Sequence, residues 1–167
     1  TVIMALGVQK MSRERAVVRK LHAVETLGGC NYICSDKTGT LTENKMTVEE
    51  IWTDFTASET ADKNKPVHRT LLACMAVCNS VKADGDKLLG DPTETALVNF
   101  AKKWDHTAEG YRHLGTIPFN SERKMMSVAA EKEYPLCYVK GGADIVLKKC
   151  TRILTSSGVR GLTLSDR

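Results

Sequence analysis

The stretch that decides the fold is DKTGTLT, residues Asp36–Thr42, which follows the short apolar run YICS at Tyr32–Ser35. Glycines flank the run, at Gly28–Gly29 before it and at Gly39 after it, so the sequence predicts a buried strand that ends in a tight turn. Open α/β sheets place reactive groups at such strand ends, and a Gly/Thr-rich turn can aim N–H and hydroxyl donors at a phosphoryl group. We therefore predict that Asp36 is a nucleophile that becomes phosphorylated. The alternative is a solvated turn whose aspartate caps a helix.

The ten residues Ile33–Thr42, ICSDKTGTLT, resemble the phosphorylation signature of the P-type ATPases, which are membrane ion pumps. The resemblance implies that Asp36 takes the γ-phosphoryl group of ATP and, with the backbone carbonyl of Thr38, helps to hold Mg²⁺. It also implies that Lys37 and Thr40 steady the phosphoryl group. Phosphoryl transfer depends on in-line positioning and charge neutralisation, so a cation beside the acceptor agrees with these roles.

The composition is that of an ordinary globular protein. The chain has 167 residues, of which 42% are hydrophobic and 26% charged. That length fits one domain, or one domain plus part of another. The net charge of +4 is modest and no basic-aromatic pattern accompanies it, so we expect no nucleic-acid partner. Six cysteines are present, but a chain of this length does not need a disulfide framework, so we expect reduced thiols.

The apolar run Val2–Val8 is too short to cross a membrane, and basic residues follow it. Both an amphipathic helix and the cytoplasmic exit of a truncated transmembrane helix have this pattern. The family resemblance continues through residues 7–28 and favours the membrane exit. It implies two parts. Residues 1–45 would hold the end of a transmembrane helix and the N-terminal segment of the phosphorylation domain. Residues 46–167 would be a nucleotide-binding domain, truncated before the rest of the phosphorylation domain.

Beyond residue 45 the apolar and turn patterns predict several short elements. They are a strand around Ile51–Trp52, a polar loop over residues 56–66, a helix over Leu71–Val81, a hairpin turn at Asp84–Asp86 and a final hairpin over Ile153–Arg160.

The motif GDPTETAL, residues 90–97, predicts the start of another helix. Asp91 suits the N-cap, Pro92 the first helical position and Glu94 the third, where a capping box places an acid. Capping alone would explain Glu94 without a ligand. The resemblance implies a second role, in which this glutamate lies near adenine and supports recognition of the base; the two roles are compatible.

The segment GTIPFNSERKMMSVA, residues 115–129, predicts two strands joined by a polar turn. The resemblance implies that Phe119 stacks on adenine and that Lys124 lies in the pocket near the nucleotide; a core aromatic is the alternative for Phe119. Ser121 departs from animal calcium pumps, in which this position is often arginine, so a phosphate contact at this position is in doubt. Arg123 keeps positive charge nearby, and we count both residues among the candidate nucleotide-binding positions.

The segment YVKGGAD, residues 138–144, predicts a strand, two glycines and the start of a helix. Glycine after a strand lets a ligand approach the backbone, and a helix N-terminus favours anions. The resemblance implies that Lys140 lines the deep end of the nucleotide pocket and that Gly141 and Gly142 border it. The family usually continues Ala-Pro-Glu, whereas here Asp144 keeps the acid and the proline is absent.

The resemblance implies an α/β (α+β) fold: a mainly antiparallel twisted sheet flanked by helices, plus an incomplete haloacid-dehalogenase-like phosphorylation-domain segment. The resemblance implies ATP and Mg²⁺ as ligands and a cation pump, with calcium as the first choice, as the parent protein. The chain would be a cytoplasmic portion of an integral membrane protein of the cell membrane. Its partners would be ATP and the transmembrane and actuator domains of the remaining chain. The isolated fragment should bind ATP without efficient turnover, because it lacks the Thr-Gly-Asp and Gly-Asp-Gly-x-Asn-Asp segments of the family.

Two other classes of function stay open at this point. A soluble phosphatase or phosphotransferase of the haloacid dehalogenase type also uses an aspartyl nucleophile, but it needs a second aspartate two residues later as general acid. Thr38 occupies that position and cannot act as that acid. A non-catalytic nucleotide-binding module is the other class, and the missing Mg²⁺-ligand segments favour it.

Overall fold

The computed structural model describes residues 2–85 and 87–166, and the chain divides into two compact units with the sequence boundary between Glu43 and Asn44. This division is close to the predicted boundary after residue 45, while the role assigned to each part stays a prediction. The helices are α1 Val2–Arg13, α2 His22–Gly28, α3 Pro66–Val77, α4 Pro92–Lys103 and α5 Ala143–Lys149. The strands are β1 Ile51–Thr53, β2 Thr56–Ser58, β3 Lys82–Asp84, β4 Lys87–Leu89, β5 Arg112–Asn120, β6 Met125–Glu131, β7 Pro135–Gly141, β8 Arg152–Thr155 and β9 Gly158–Gly161.

The first unit consists of α1, α2 and an exposed segment, and none of its described residues is buried. The predicted buried strand over Tyr32–Ser35 is wrong: the segment has no regular structure, and Tyr32 and Ile33 are 90% and 81% exposed. A strand needs a neighbour to satisfy its backbone hydrogen-bonding groups, and residues 2–43 contain no other strand. Within residues 2–85 and 87–166, no helix has the length and apolar character to span a membrane.

The second unit contains every strand described, and all of them pair antiparallel. Strands β5, β6 and β7 form a three-stranded sheet with β6 in the middle, whereas β1–β2, β3–β4 and β8–β9 are separate hairpins. This mixture of small antiparallel sheets and helices confirms the predicted fold class. The incomplete haloacid-dehalogenase-like segment stays a prediction.

Two of the predicted element bounds are corrected. The segment predicted as a polar loop begins with β2, which pairs with β1. The helix predicted over Leu71–Val81 begins earlier, at Pro66, and ends at Val77. Its end has a physical cause, because the Asn79 side chain donates hydrogen bonds to the carbonyls of Met75 and Ala76 at 3.2 and 2.8 Å and so satisfies groups that a continued helix would use.

Other element predictions are confirmed. Hairpins form at β3–β4, β5–β6 and β8–β9, and β7 is followed by a helix over Ala143–Lys149. Asp86, in the predicted turn at Asp84–Asp86, lies outside the described residues.

Two clusters of buried side chains stabilise the second unit. The first joins β1, α3 and α4 through Ile51, Leu72 and Phe100. The second joins the end of α3 to β6 through Cys78, which directly follows the helix, and through Met126 and Val128. Helix α3 contributes to both clusters, so it fixes the position of the three-stranded sheet relative to α4.

The turn between β1 and β2 has a strained backbone and forms a hydrogen bond with a residue far along the sequence. Asp54 and Phe55 have φ of 49° and 63°, a left-handed conformation that is uncommon for residues other than glycine. The Asp54 carboxylate accepts a hydrogen bond from the Ser156 backbone N–H at 3.3 Å. This bond ties the β1–β2 turn to the β8–β9 turn.

Candidate functional site

A partly buried ion pair joins β7 to the start of α4. Lys140 Nζ lies 2.6 Å from Glu94 Oε1, and the two side chains are 23% and 14% exposed. The other carboxylate oxygen of Glu94 accepts a hydrogen bond from the Ser80 backbone N–H at 2.9 Å. Glu94 therefore holds the lysine and, at the same time, fixes the loop that follows α3.

The start of α4 confirms part of the predicted capping. Asp91 Oδ1 accepts hydrogen bonds from the backbone N–H groups of Thr93 and Glu94 at 2.8 and 3.4 Å, and Pro92 occupies the first turn. The predicted capping-box role of Glu94 is wrong, because its carboxylate faces Lys140 and Ser80 instead. The contact with Lys140 adds the attraction between two opposite charges, which a contact with the Asp91 backbone N–H would lack.

Gly141 allows β7 to pass very close to the residues that begin β6. A Cβ atom at this position would collide with the Lys124 carbonyl oxygen and would lie 2.7 Å from Met125 Cγ. The same carbonyl oxygen accepts a hydrogen bond from the Gly142 backbone N–H at 3.0 Å. The glycine is therefore required by the approach of the protein's own backbone, and this approach brings Lys124 next to Gly141 and Gly142.

The register of the sheet places Lys140 next to this contact. Lys140 lies opposite Met126, and Gly141 lies opposite Met125. Asp144 lies in the first turn of α5, so the helix N-terminus beyond the glycines already faces an acid of its own chain.

The β5–β6 turn carries the remaining candidate positions. Asn120 Oδ1 accepts hydrogen bonds from the N–H groups of Glu122 and Arg123 at 2.7 and 3.3 Å. Lys124 donates its backbone N–H to the Asn120 carbonyl at 2.7 Å and has φ of 52°. The side chains of Ser121 and Lys124 are exposed at this tight turn.

Arg123 uses its charge locally. Its guanidinium group folds back along β6 and donates hydrogen bonds to the Met125 carbonyl at 3.0 Å and to Ser127 Oγ at 3.2 Å. These contacts hold the positive charge against the strand rather than at the tip of the turn.

Phe119 is 60% exposed and lies where the pairing of β5 with β6 becomes irregular, between Ile117 and Asn120. The alternative of a core aromatic is therefore wrong for this residue. Ile117, two positions earlier, is 57% exposed. The exposed ring of Phe119 offers an apolar face at this end of the sheet that a flat ring could cover.

A cavity of about 640 Å³ has Lys140 and Gly141 in its wall, a size usual for small-molecule sites. Most of its wall is apolar and includes Trp52, Leu71 and Leu97. Glu94, Phe119 and Lys124 are not part of this wall. The structure thus brings the candidate residues of the second unit to one end of the β5–β6–β7 sheet, but not into a single cavity.

The tight turn predicted after Asp36 is present in the first unit. Asp36 Oδ1 accepts a hydrogen bond from the Thr38 backbone N–H at 3.4 Å. Gly39 has φ of 74°, and the Thr42 backbone N–H closes the turn on the Lys37 carbonyl at 3.2 Å. The segment Lys37–Leu41 is not a regular helix, since Thr38 and Gly39 depart from helical geometry. Asp36, Lys37, Thr38 and Thr40 are all exposed.

This turn fits Mg²⁺ in the chemistry of its donors. Asp36 offers a carboxylate and Thr38 a backbone carbonyl, and Mg²⁺ prefers oxygen ligands of both kinds while retaining several waters. The hydrogen bond between the two residues keeps them on one short turn.

Two features of the site are absent from the sequence predictions. No motif indicates the contact of Ser80 with Glu94. The thiols of Cys74 and Cys78 lie against β7 just before Lys140. Their four-residue spacing, which places two helical side chains on one face, is the sequence feature that could have indicated this shared position.

Comparison with known proteins defines the class. Residues 68–167 match the family described as P-type ATPase, cytoplasmic domain N. The chain belongs to this family, which confirms the resemblance inferred from its motifs.

Individual relatives are named as calcium-transporting ATPases. The chain is 40% identical over 174 residues to calcium-transporting ATPase 1 of Bacillus cereus, with 100% of this chain and 20% of that protein covered. It is 36% identical over 193 residues to calcium-transporting ATPase type 2C member 1 of Homo sapiens, with 100% of this chain and 21% of that protein covered. The chain thus spans about a fifth of the length of the curated relatives it matches.

Proposed function

We propose that the chain is the ATP-binding cytoplasmic part of a P-type cation pump of the cell membrane, and that the cation is calcium. ATP would phosphorylate Asp36, and the transmembrane and actuator domains of the parent protein would couple this step to transport. The family match and the calcium-transporting relatives support the class. The observation that carries the proposal is the Lys140–Glu94 ion pair. It lies at the end of the sheet where Gly141 allows β7 to approach the Lys124 backbone closely.

This end of the sheet suits a nucleotide for three reasons. Lys124 would supply positive charge for the nucleotide from the exposed turn, and the Glu94 contact would hold the Lys140 ammonium at the deep end of the site, beside the base. The exposed ring of Phe119 offers a face for adenine, and stacking of a base on an aromatic ring contributes about 1–3 kcal/mol in nucleic-acid systems. The Glu94 carboxylate is an acceptor for the adenine amino group. Gly142 borders this site, while Ser121 and Arg123 lie on the adjoining turn.

The reaction would follow from the Asp36 turn. A carboxylate oxygen of Asp36 attacks the γ-phosphorus of ATP, the bond from that phosphorus to the bridging oxygen breaks, and ADP leaves with the electron pair. Lys37 and Thr40 would steady the transferred group. Asp36 and Thr38 would hold Mg²⁺, which supplies charge neutralisation at the phosphoryl oxygens when it is bound. Thr38 cannot protonate a leaving group as an aspartate would, so the aspartyl phosphate would persist, as a pump requires.

The test is calorimetric titration of the chain with ATP and with inorganic triphosphate. Lys140→Ala and Lys124→Ala should each weaken ATP binding by about 1–3 kcal/mol, the range for hydrogen bonds to charged groups. Lys102→Ala, at an exposed position of α4, is the matched control and should bind like the parent. Phe119→Ala should remove the preference for ATP over triphosphate. Equal binding of both ligands by the parent chain, with unchanged affinity in both lysine variants, would refute the site.

A further inference from the structure

Another cavity lies at the end of the β5–β6–β7 sheet that is remote from the candidate nucleotide site. Its volume is about 400 Å³, and α3, the loop after α4 and the β6–β7 turn all contribute to its wall. Strand β6 pairs with Gly141 at its first residue and with Pro135 at its last. A strand of seven residues is about 20 Å long, so this cavity is separate from the positions of Lys124 and Lys140.

Two positive charges border this cavity, those of Arg69 from α3 and Lys132 from the β6–β7 turn. The acid next to Lys132 in the sequence, Glu131, is already used, because it accepts a hydrogen bond from Arg112 Nε at 2.9 Å. Within residues 2–85 and 87–166, neither Arg69 nor Lys132 has a carboxylate within ion-pair distance. The described chain therefore leaves both charges of the cavity open to an anion.

Packing holds the Lys132 ammonium at the edge of the cavity. Lys132 Nζ lies 5.0 Å from the centroid of the Tyr111 ring, a position in which the ring attracts a cation. The stem of the same side chain passes Gly110, where an added Cβ would lie 3.9 Å from Lys132 Cε. The ammonium is thus positioned before any ligand arrives.

Tyrosine side chains give the cavity both hydroxyl donors and flat apolar faces. Tyr111, Tyr134 and Tyr138 line it, and the rings of Tyr111 and Tyr138 meet edge to face with centroids 6.2 Å apart. Burial, together with the neighbouring Tyr111, raises the pKa of Tyr138 to about 12. The Tyr138 hydroxyl therefore keeps its proton and can donate it to an anion.

A histidine reports that the two cations act on one place. His106 lines the cavity, and its Nε2 lies 3.5 Å from the Tyr111 hydroxyl. Burial lowers the pKa of His106, and the charges of Lys132 and Arg69 lower it further. An anion in the cavity would offset these charges and allow the imidazole to take up a proton. Glu133, an exposed residue of the turn, is the acid in the cavity wall.

We propose that this cavity binds a phosphate dianion, either free or as the head group of a small monoester. A guanidinium and an ammonium are the side chains best suited to phosphate oxygens. A dianion matches the two charges of Arg69 and Lys132, whereas a carboxylate would leave one of them unbalanced. The tyrosine rings offer a surface for an organic group attached to the phosphate. This site is distinct from the proposed nucleotide site and does not depend on it.

The experiment is a nuclear magnetic resonance titration of the full chain at constant ionic strength, without nucleotide or Mg²⁺. The probes are inorganic phosphate and phenyl phosphate, added at pH 8, where the phosphate group is a dianion. The readout is the imidazole signal of His106, which is assigned by its loss in His106→Gln. We expect a saturable change of this signal. We also expect the pH titration of His106 to move to higher pH when phosphate is bound, because a nearby anion favours the charged imidazole.

The two probes distinguish the sources of the phosphate group. Tighter binding of phenyl phosphate would assign the site to monoesters that carry a flat ring. Equal or weaker binding of phenyl phosphate would assign it to free phosphate. Both results support a phosphate site in this cavity.

Charge variants test the role of each side chain. Arg69→Met and Lys132→Met should each weaken binding about tenfold, because each removes hydrogen bonds between charged groups. Glu133→Gln should strengthen it about threefold, because it removes a negative charge from the wall. Lys148→Met, at an exposed position of α5 outside the cavity wall, is the matched control and should bind like the parent. Circular dichroism checks the fold of each variant.

The proposal would be overturned by a His106 signal that does not respond to either probe, or by unchanged affinity in Arg69→Met or in Lys132→Met. Lys124→Ala and Lys140→Ala should leave the response of His106 to phosphate intact. Loss of the response in these two variants would show instead that phosphate binds at the nucleotide site. Failure of ATP binding alone would refute the proposed function and leave this site unaffected.

Discussion

Each of the two units contains sequence motifs typical of the family, but the units differ in how far their residues are buried and held by contacts distant in sequence. None of the described residues of the first unit is buried, and the turn after Asp36 is held by contacts inside the segment Asp36–Thr42. The second unit has two buried clusters, and its Lys140–Glu94 contact joins residues 46 positions apart in the sequence. A reactive turn can thus be encoded locally, whereas a binding site depends on elements that only packing brings together.

The largest expected effect concerns the core that only the second unit has. Leu72 is 0% exposed, whereas Leu27 in α2 is 56% exposed. We expect Leu72→Ala to lower the free energy of unfolding by about 2–5 kcal/mol, from lost burial and the cavity that remains. Leu27→Ala should change it by less than about 0.5 kcal/mol. Urea unfolding measures both, and equal effects would remove the contrast between the units.

A pair of glycines gives the next largest effect. Gly141→Ala should destabilise the chain by about 1–3 kcal/mol, because the new methyl group meets the Lys124 carbonyl and forces the strands apart. Gly7, in α1, has no atom within 4 Å of the position its Cβ would take. Gly7→Ala should therefore be neutral or stabilise by about 0.5–1 kcal/mol. A harmless Gly141→Ala in the same denaturant titration would show that the close approach is not required.

Two capping aspartates sharpen the comparison further. Asp91 accepts hydrogen bonds from two N–H groups at the start of a packed helix, so Asp91→Ala should cost about 1 kcal/mol of unfolding free energy. Asp36 accepts one long hydrogen bond at an exposed turn, so Asp36→Ala should change it by less than about 0.5 kcal/mol. Thermal or urea unfolding would contradict this ranking if Asp36→Ala were the more damaging change.

The smallest effect is expected at the proposed nucleophile itself. The isolated chain lacks the family's further Mg²⁺-ligand segments, so it should incorporate negligible label from γ-labelled ATP, and Asp36→Asn should leave ATP affinity within about 0.5 kcal/mol of the parent. Stable label in the parent that is lost in Asp36→Asn would show instead that the exposed turn suffices for phosphoryl transfer.

The sequence predicted the antiparallel elements of the second unit because their signals are local. Turn residues at Asp84–Gly85, Asn120–Arg123 and Ser156–Gly158 mark the hairpins, and the cap at Asp91 marks a helix start. The wrong prediction of a buried strand at Tyr32–Ser35 has a physical cause that is not local. Tyr32–Ser35 is apolar enough for a buried strand, but burial requires a neighbouring strand, which the described part of the first unit does not contain.

The sequence indicated which residues belong to the candidate site but not which of them contact one another. The resemblance indicated Glu94 and Lys140 separately, and capping chemistry alone assigned Glu94 to its own helix. Its carboxylate instead pairs with Lys140 and binds the Ser80 backbone, contacts that no local pattern encodes. The close approach of Gly141 to Lys124 is likewise not encoded by a local pattern, since it depends on the register of β6 against β7.

The hydrogen bond between Ser156 and the β1–β2 turn affects the order in which the protein can fold during translation. Asp54 and Ser156 are 102 residues apart. A ribosome that adds about 5–20 residues per second would release the second partner roughly 5–20 s after the first. During that delay the left-handed turn at Asp54 and Phe55 has its local contacts, such as that of Trp52 with Phe55, but its hydrogen bond with Ser156 forms only when the final hairpin has emerged. The earliest strands of this unit are therefore among the last to be secured during translation.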